Sequence, residues 1–174
     1  MIVVEGGKFT TSRSLAKKVV NKIISKNSFQ NNKTNSKKIF LKGCEIPNFC
    51  EFVLQKQMKY NNLQPNWVDF LCKSYGTEID NLMEIYNSSE HYKKILNRDG
   101  ENLAQVVYAI KYEMARSLTD IVQRRTSIAQ TGDCSQEIIQ IIADVAAKEL
   151  KWSKEFNQNK IEDFWQQTTL PKME

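Results

Sequence analysis

Glycine is scarce in this chain of 174 residues and histidine scarcer still: six glycines, at 6, 7, 43, 76, 100 and 132, and one histidine, His91. The glycines compose no G-x-G-x-x-G and no Walker-type loop, so the chain has no means of its own to grip a dinucleotide pyrophosphate. With one histidine and no Ser/His/Asp or Cys/His constellation there is no complete catalytic apparatus, and no residue is assigned a catalytic role. His91, within NSSEHYKK, reads as a surface-loop residue. Cys44, Cys50, Cys72 and Cys134 fall at irregular spacings and are expected to be reduced thiols, with no metal site. No apolar run approaches the ~20 residues of a membrane span. Glu5 breaks the first apolar stretch before a signal-peptide core forms, which makes the cytosol the default expectation.

Acidic residues are missing from one region altogether. Between Lys8 and Lys42 there are ten Lys or Arg and no Asp or Glu; the whole chain carries +5, so the remainder carries −5. A local basic block of this kind holds an anion, steers a polyanion, rests on anionic lipid or is a solvated face. The solvated reading suits the lysines of KNSFQNNKTNSKK, Lys26 to Lys38, a polar run with the composition of a loop.

What is present is mostly helix. Ile2, Val3 and Val4 read as a short strand entering a Gly6-Gly7 turn, one expected to lack its native sheet neighbours in this chain and to fray or borrow pairing from another copy. Leu15, Val19, Val20, Ile23 and Ile24 then recur at helical spacing to about Lys26, with Thr10, Thr11 or Ser12 able to cap the helix. Ile39 to Leu41 reads as a second short extended segment. Pro47 and Pro65 suit first helical turns, Gly76 suits the stop of the helix carrying Trp67, Phe70 and Leu71, and Thr77 with Asp80 suits the start of the next. In ENLAQVVYAIKYEMARSLTDIVQRRT, one apolar stripe (Leu103, Val106, Val107, Ile110, Met114) gives way to an offset one (Leu118, Ile121, Val122). Ser117 with Asp120 resembles a capping box, which predicts two helices meeting at a corner near Arg116. Asp133 or Ser135 opens a further helix and Ser153 the last.

Candidate chemistry concentrates at Gly6, Gly7 and Lys8. Glycines let backbone N–H groups approach an anion, the following helix turns its positive end to the same place, and Lys8 adds a full charge. A strand-to-helix turn with a surface lysine accounts for the same residues. Arg124 is expected to pair with Asp120 one turn earlier, and Glu113 with Arg116; the role of Arg125 is open. Tyr108, Tyr112, Trp152 and Trp165 suit packing before base stacking.

Gly6-Gly7-Lys8-Phe9-Thr10-Thr11-Ser12-Arg13 resembles the GGK-hydrophobe-TTYR segment of FAD-dependent glycerol-3-phosphate dehydrogenases, and VVYAIKYEMARSLTDIVQRRT at 106–126 resembles their C-terminal signature. SYG at 74–76 is similar to the family's RYG between them. Ser12 stands where the family has Tyr and Ser117 where it has Thr, and the Asn/Lys-rich run at 27–38 has no counterpart. The resemblance implies an all-α C-terminal cap domain over 43–174, preceded at 1–42 by a strand-turn-helix remnant of the FAD-binding domain. It implies that Gly6, Gly7, Lys8 and Thr10 lie near FAD or substrate anion in the intact enzyme, and that the partners are the missing N-terminal FAD-binding domain and a membrane quinone. Oxygen is the acceptor in oxidase members. The implied reaction is oxidation of sn-glycerol 3-phosphate to dihydroxyacetone phosphate. The isolated chain is expected to be inactive and to bind no cofactor, with a cytoplasmic location, peripheral on the inner face of the cell membrane, and no nucleic-acid partner. The alternative is a basic helical interaction module binding nucleic acid, anionic membrane or a partner subunit.

Overall fold

The computed structural model describes residues 2–6, 8–27, 29, 36–132 and 134–168. The chain forms two compact units, Met1–Leu41 and Lys42–Glu174. Among the described residues there is no strand, only an isolated antiparallel bridge between Ile95 and Asn102. The fold is all-α, as expected.

In the first unit a 3-10 turn, Phe9–Thr11, leads into α1, Ser12–Asn27. Ile2, Val3 and Val4 are irregular and 39%, 69% and 50% exposed, without sheet neighbours among the described residues, as expected of a strand without its partners. A lone β-prone run has no ladder partner to supply its hydrogen bonds. Ile39–Leu41, read as a second extended segment, likewise joins no ladder and is exposed. The expected threonine cap is corrected. Thr11 turns its hydroxyl back to donate to the Lys8 carbonyl at 3.1 Å, beside its own N–H at 3.2 Å, and this closes the 3-10 turn instead of capping the helix amides. Along α1, Leu15, Val19 and Ile24 are half-buried and no residue is buried.

The second unit is built around α5, Leu103–Tyr112, of whose ten residues eight are buried. Its start is fixed by a reciprocal cap: the Asn102 side chain accepts from the Ala104 N–H at 3.0 Å and the Gln105 side chain accepts from the Asn102 N–H at 3.1 Å. Helices α4, Ile79–Ser88, and α6, Gln136–Leu150, pack on it, and α7, Lys154–Thr168, packs on α6. On the other side α2, Phe49–Lys59, lies against α3, Pro65–Tyr75. The core joins Leu71, Ile79, Leu82, Val107, Leu118, Ile121, Ile139 and Ile142, each at most 1% exposed.

Pro65 holds the first turn of α3, whereas Pro47 lies before the Asn48 cap of α2 and outside the helix, a correction of its expected place. Helix α3 stops at Gly76, as expected, with φ of 54°. There the backbone passes so close to Gly43 that a Cβ on Gly76 would overlap the Gly43 carbonyl, which accepts the Thr77 N–H at 3.0 Å. Thr77 and Asp80 do not cap α4. Asp80 instead takes part in a tertiary cluster, accepting from Lys56 Nζ at 2.7 Å and from the Tyr60 hydroxyl at 2.6 Å.

The corner after α5 forms where the two stripes are offset. Met114 sits at φ of 60° and is 78% exposed, so it leaves the stripe to which its spacing assigned it. Asp120 Oδ2 accepts from the N–H groups of Arg116 and Ser117 at 3.1 and 3.0 Å, and Ser117 Oγ accepts from the Asp120 N–H at 3.1 Å, so the expected capping box is present. The second arm is a π-helical segment, Asp120–Arg125. Its wider turn lets Thr126 donate its hydroxyl to the Ile121 carbonyl at 2.9 Å. Ser135 caps α6 and Ser153 caps the start of α7; Asp133, the other candidate, lies outside the described residues.

Candidate functional site

The N-terminal loop offers backbone and charge. Gly6 and Lys8 flank Gly7, which lies outside the described residues. Lys8 is extended and exposed, Thr10 sits exposed in the 3-10 turn, and no side chain caps that turn. Among the described residues no side chain accepts from the amides at this end; Glu5 lies just before the loop, and no further acidic side chain occurs before Glu45. Gly6 also packs close: a Cβ there would meet Leu15 Cδ2 at 3.3 Å.

In the second unit two separated sequence segments converge. Ser74 and Tyr75, at the end of α3, and Glu113, Arg124 and Arg125, on either side of the helical corner, line one polar pocket of about 180 Å³. Gln105 and Glu101 form its inner wall. Glu101, 2% exposed, accepts from the Ser127 N–H at 2.8 Å, from the Ser127 hydroxyl at 2.9 Å and from Asn97 Nδ2 at 2.8 Å. Three donors hold this carboxylate in place, and two of them attach Ser127, the second residue after the π segment, to the chain entering α5. Gln105 donates to the Tyr75 hydroxyl oxygen at 3.0 Å. Burial pushes the Tyr75 phenol up, the hydrogen bond from Gln105 only partly offsetting it, so the group stays a neutral O–H.

Glu113 and Arg125 stand differently. Among the described residues the Glu113 carboxylate accepts no hydrogen bond, and Arg125 enters none and forms no ion pair. Burial raises the Glu113 carboxyl above its ordinary range, while the charges of Arg125 and Lys42 pull it down in part. The expected Glu113–Arg116 pair is thus corrected: the positive φ of Met114 reverses the backbone between them, and the electrostatic partner of Glu113 is Arg125. Arg124 pairs with Asp120, as expected.

A larger concavity of about 840 Å³ lies between Trp67, Phe70, Tyr86 and Ile95. Three of its polar groups are engaged already. Trp67 Nε1–H donates to the Gly100 carbonyl at 3.0 Å, Arg98 donates to the Thr131 carbonyl, and Lys93 pairs with Glu90.

Other sites are not formed among the described residues. No three His, Cys, Asp or Glu come together as a metal site, and no helix is long and apolar enough to cross a membrane. Cys44, Cys50 and Cys72 are free thiols, with Cys72 buried, and His91 is exposed in a 3-10 turn. Tyr108 is buried and stacks on half-exposed Tyr112, ring centroids 4.9 Å apart, which fits the packing role read for both. The sequence reading missed Glu101, Gln105 and Ser127. The available signal was an acid directly before a helix cap, within ENLAQ.

Residues 34–157 match the family described as the C-terminal domain of alpha-glycerophosphate oxidase. The chain is 29% identical over 165 residues to "Probable glycerol-3-phosphate dehydrogenase, mitochondrial" of Dictyostelium discoideum, covering 94% of this chain and 26% of that protein. It is 27% identical to a glycerol-3-phosphate dehydrogenase of Synechocystis, over 98% of this chain and 32% of the relative. With the mitochondrial glycerol-3-phosphate dehydrogenase of Rattus norvegicus it shares 26% identity, over 93% and 23%. The chain thus spans between a quarter and a third of the length of the first two relatives.

Proposed function

The chain belongs to the family of the C-terminal domain of alpha-glycerophosphate oxidase, and on that premise we propose that it is the C-terminal part of an FAD-dependent enzyme oxidising sn-glycerol 3-phosphate to dihydroxyacetone phosphate. The observation that carries this reading is the convergence of Ser74–Gly76 and Glu113–Thr126, the two segments of the helical unit that resemble the enzyme family, on one helical corner. Residues 1–42 form the closing segment of the FAD-binding domain, and 43–174 form the helical domain.

The residues of the first unit fit the edge of a flavin site. Among the described residues no side chain caps the 3-10 turn after this loop, and its amides with the Lys8 ammonium are the groups it offers an external anion, with Glu5 the one acid beside it. FAD, when bound, supplies the hydride acceptor for C2 of the substrate. The part of Gly6, Gly7, Lys8 and Thr10 is to bind and orient phosphate or flavin oxygens there. The electrons pass onward to a membrane quinone, at the inner face of the cell membrane.

The test is purification of this chain with added FAD, followed by absorbance spectroscopy and glycerol-3-phosphate-dependent dye reduction. The reading predicts no turnover from this polypeptide alone, because the dinucleotide-binding residues lie on other parts of the protein. Robust dye reduction would contradict that division of labour.

A second reading is favoured by α1 alone. Arg13, Lys17, Lys18, Lys22 and Lys26 share this helix with no acid, beside a half-buried apolar stripe, the pattern of a helix lying on an anionic lipid surface. It predicts salt-sensitive retention on anionic vesicles and none on neutral ones.

A further inference from the structure

We propose that the pocket between Tyr75, Glu113 and Arg125 binds a small hydroxyl-bearing oxyanion. The assignment rests on unmet valence. Arg125 is exposed, lines the pocket and spends none of its donors on the protein. Tyr75 accepts from Gln105 but gives its own proton to no described acceptor. Glu113, half-buried on the same wall, receives no donor. A guanidinium and a phenol O–H recognise anionic oxygens, and a carboxylate without donors recognises a hydroxyl.

Size narrows the class. A pocket of about 180 Å³ has room for a phosphate group or a three-carbon hydroxy acid. Charge balance permits the anion. Glu101 is already held by three donors, and Arg124 is held at the rim by Asp120. The groups facing Glu113 are Arg125 from the π segment, Lys42 from the start of the unit, itself paired with Glu78, and the neutral phenols of Tyr75 and Tyr108. When Glu113 takes up a proton the pocket loses one negative charge and the carboxylic acid itself donates to the anion. Binding therefore strengthens as pH falls through the raised Glu113 range.

The ligand chemistry has two sources, phosphate monoesters and hydroxy carboxylates, and the titration separates them. The ¹⁵N-labelled full chain is titrated with inorganic phosphate, glycerol 3-phosphate and glycerate while amide shifts are followed, at about pH 5 and about pH 8. Saturable shifts at Ser74, Tyr75, Gln105 and Ser127 are expected, with a hydroxyl-bearing ligand tighter than inorganic phosphate and tighter binding at the lower pH. Preference for glycerol 3-phosphate or for glycerate identifies the source. Arg125→Ala should weaken binding about tenfold or more, and Arg125→Lys should restore part of it. Glu113→Gln should bind inorganic phosphate more tightly and lose the pH dependence for glycerate, whose carboxylate is ionised at both values. Arg125 makes no bond within the fold, so its variants should keep native amide dispersion. Shifts confined to the lysines of α1, or shifts in the pocket that persist in Arg125→Ala, would overturn the assignment. Equal binding of inorganic phosphate and the hydroxylated ligands would overturn its hydroxyl recognition.

Discussion

Glu101 receives two hydrogen bonds from a single residue, Ser127, one from its backbone N–H at 2.8 Å and one from its hydroxyl at 2.9 Å. The pair joins the entrance of the central helix α5 to the chain leaving the π segment, and it is closed from water at Glu101, which is 2% exposed. Glu101→Ala leaves buried donors of Ser127 and Asn97 without acceptors, so it should cost about 2–4 kcal/mol. Glu101→Gln, which keeps the shape and one acceptor oxygen, should cost less. Thermal and urea unfolding of both variants measure this order.

The crossing of Gly43 and Gly76 makes a second prediction. Gly76→Ala meets a positive φ and the Gly43 carbonyl together, a backbone clash that no rotamer relieves. It should destabilise by more than about 3 kcal/mol. Gly132→Ala also has positive φ, but nothing lies within 4 Å of the added Cβ, so about 1 kcal/mol is expected. Comparing the two by urea denaturation separates the cost of the close approach from that of the left-handed conformation.

How far the sequence disclosed this structure depends on where each hydrogen bond ends. Ser117 with Asp120, Ser135 and Ser153 were legible as caps because the groups they satisfy lie within one turn of them. Asp80 was not, because its partners Lys56 and Tyr60 come from α2 and its C-cap, twenty residues or more away in sequence. Met114 followed the apolar spacing and yet faces solvent, since periodicity does not anticipate a positive φ that ends the helix. The polar pocket was half legible: Tyr75, Glu113 and Arg125 stood in the resembling segments, while Glu101 and Ser127 carried no local pattern. Ile2, Val3 and Val4 read as a strand from their composition, which does not supply the neighbour that a strand requires.

The Asp80 cluster sets an acid limb of stability. Burial pushes the Asp80 carboxyl up, but hydrogen bonds from Lys56, Tyr60 and Lys59 outweigh it and leave the group below its ordinary range. A carboxyl depressed in the folded state contributes stability that is full above the unfolded value, about 3.9, and is lost as pH falls through the folded one. Asp80→Asn should therefore lower stability near neutral pH and flatten the decline below about pH 4. Urea midpoints across an acid series read out both effects.

The helical corner gives a milder test. Asp120→Ala removes the acceptor for the Arg116 and Ser117 N–H groups together with the Arg124 pair. The cap should dominate, at about 1 kcal/mol, because exposed ion pairs contribute less. Arg124→Ala should then fall within about 0.5 kcal/mol of the parent, and thermal unfolding distinguishes the two.

The most direct test of the functional account is a chimera in which this chain replaces the matching C-terminal quarter of the Dictyostelium relative, assayed for glycerol-3-phosphate-dependent dye reduction. The account predicts that the chimera binds flavin and turns over, and that Lys8→Ala within it raises KM or abolishes turnover. A chimera that folds and retains flavin but shows no glycerol-3-phosphate-dependent reduction would contradict it.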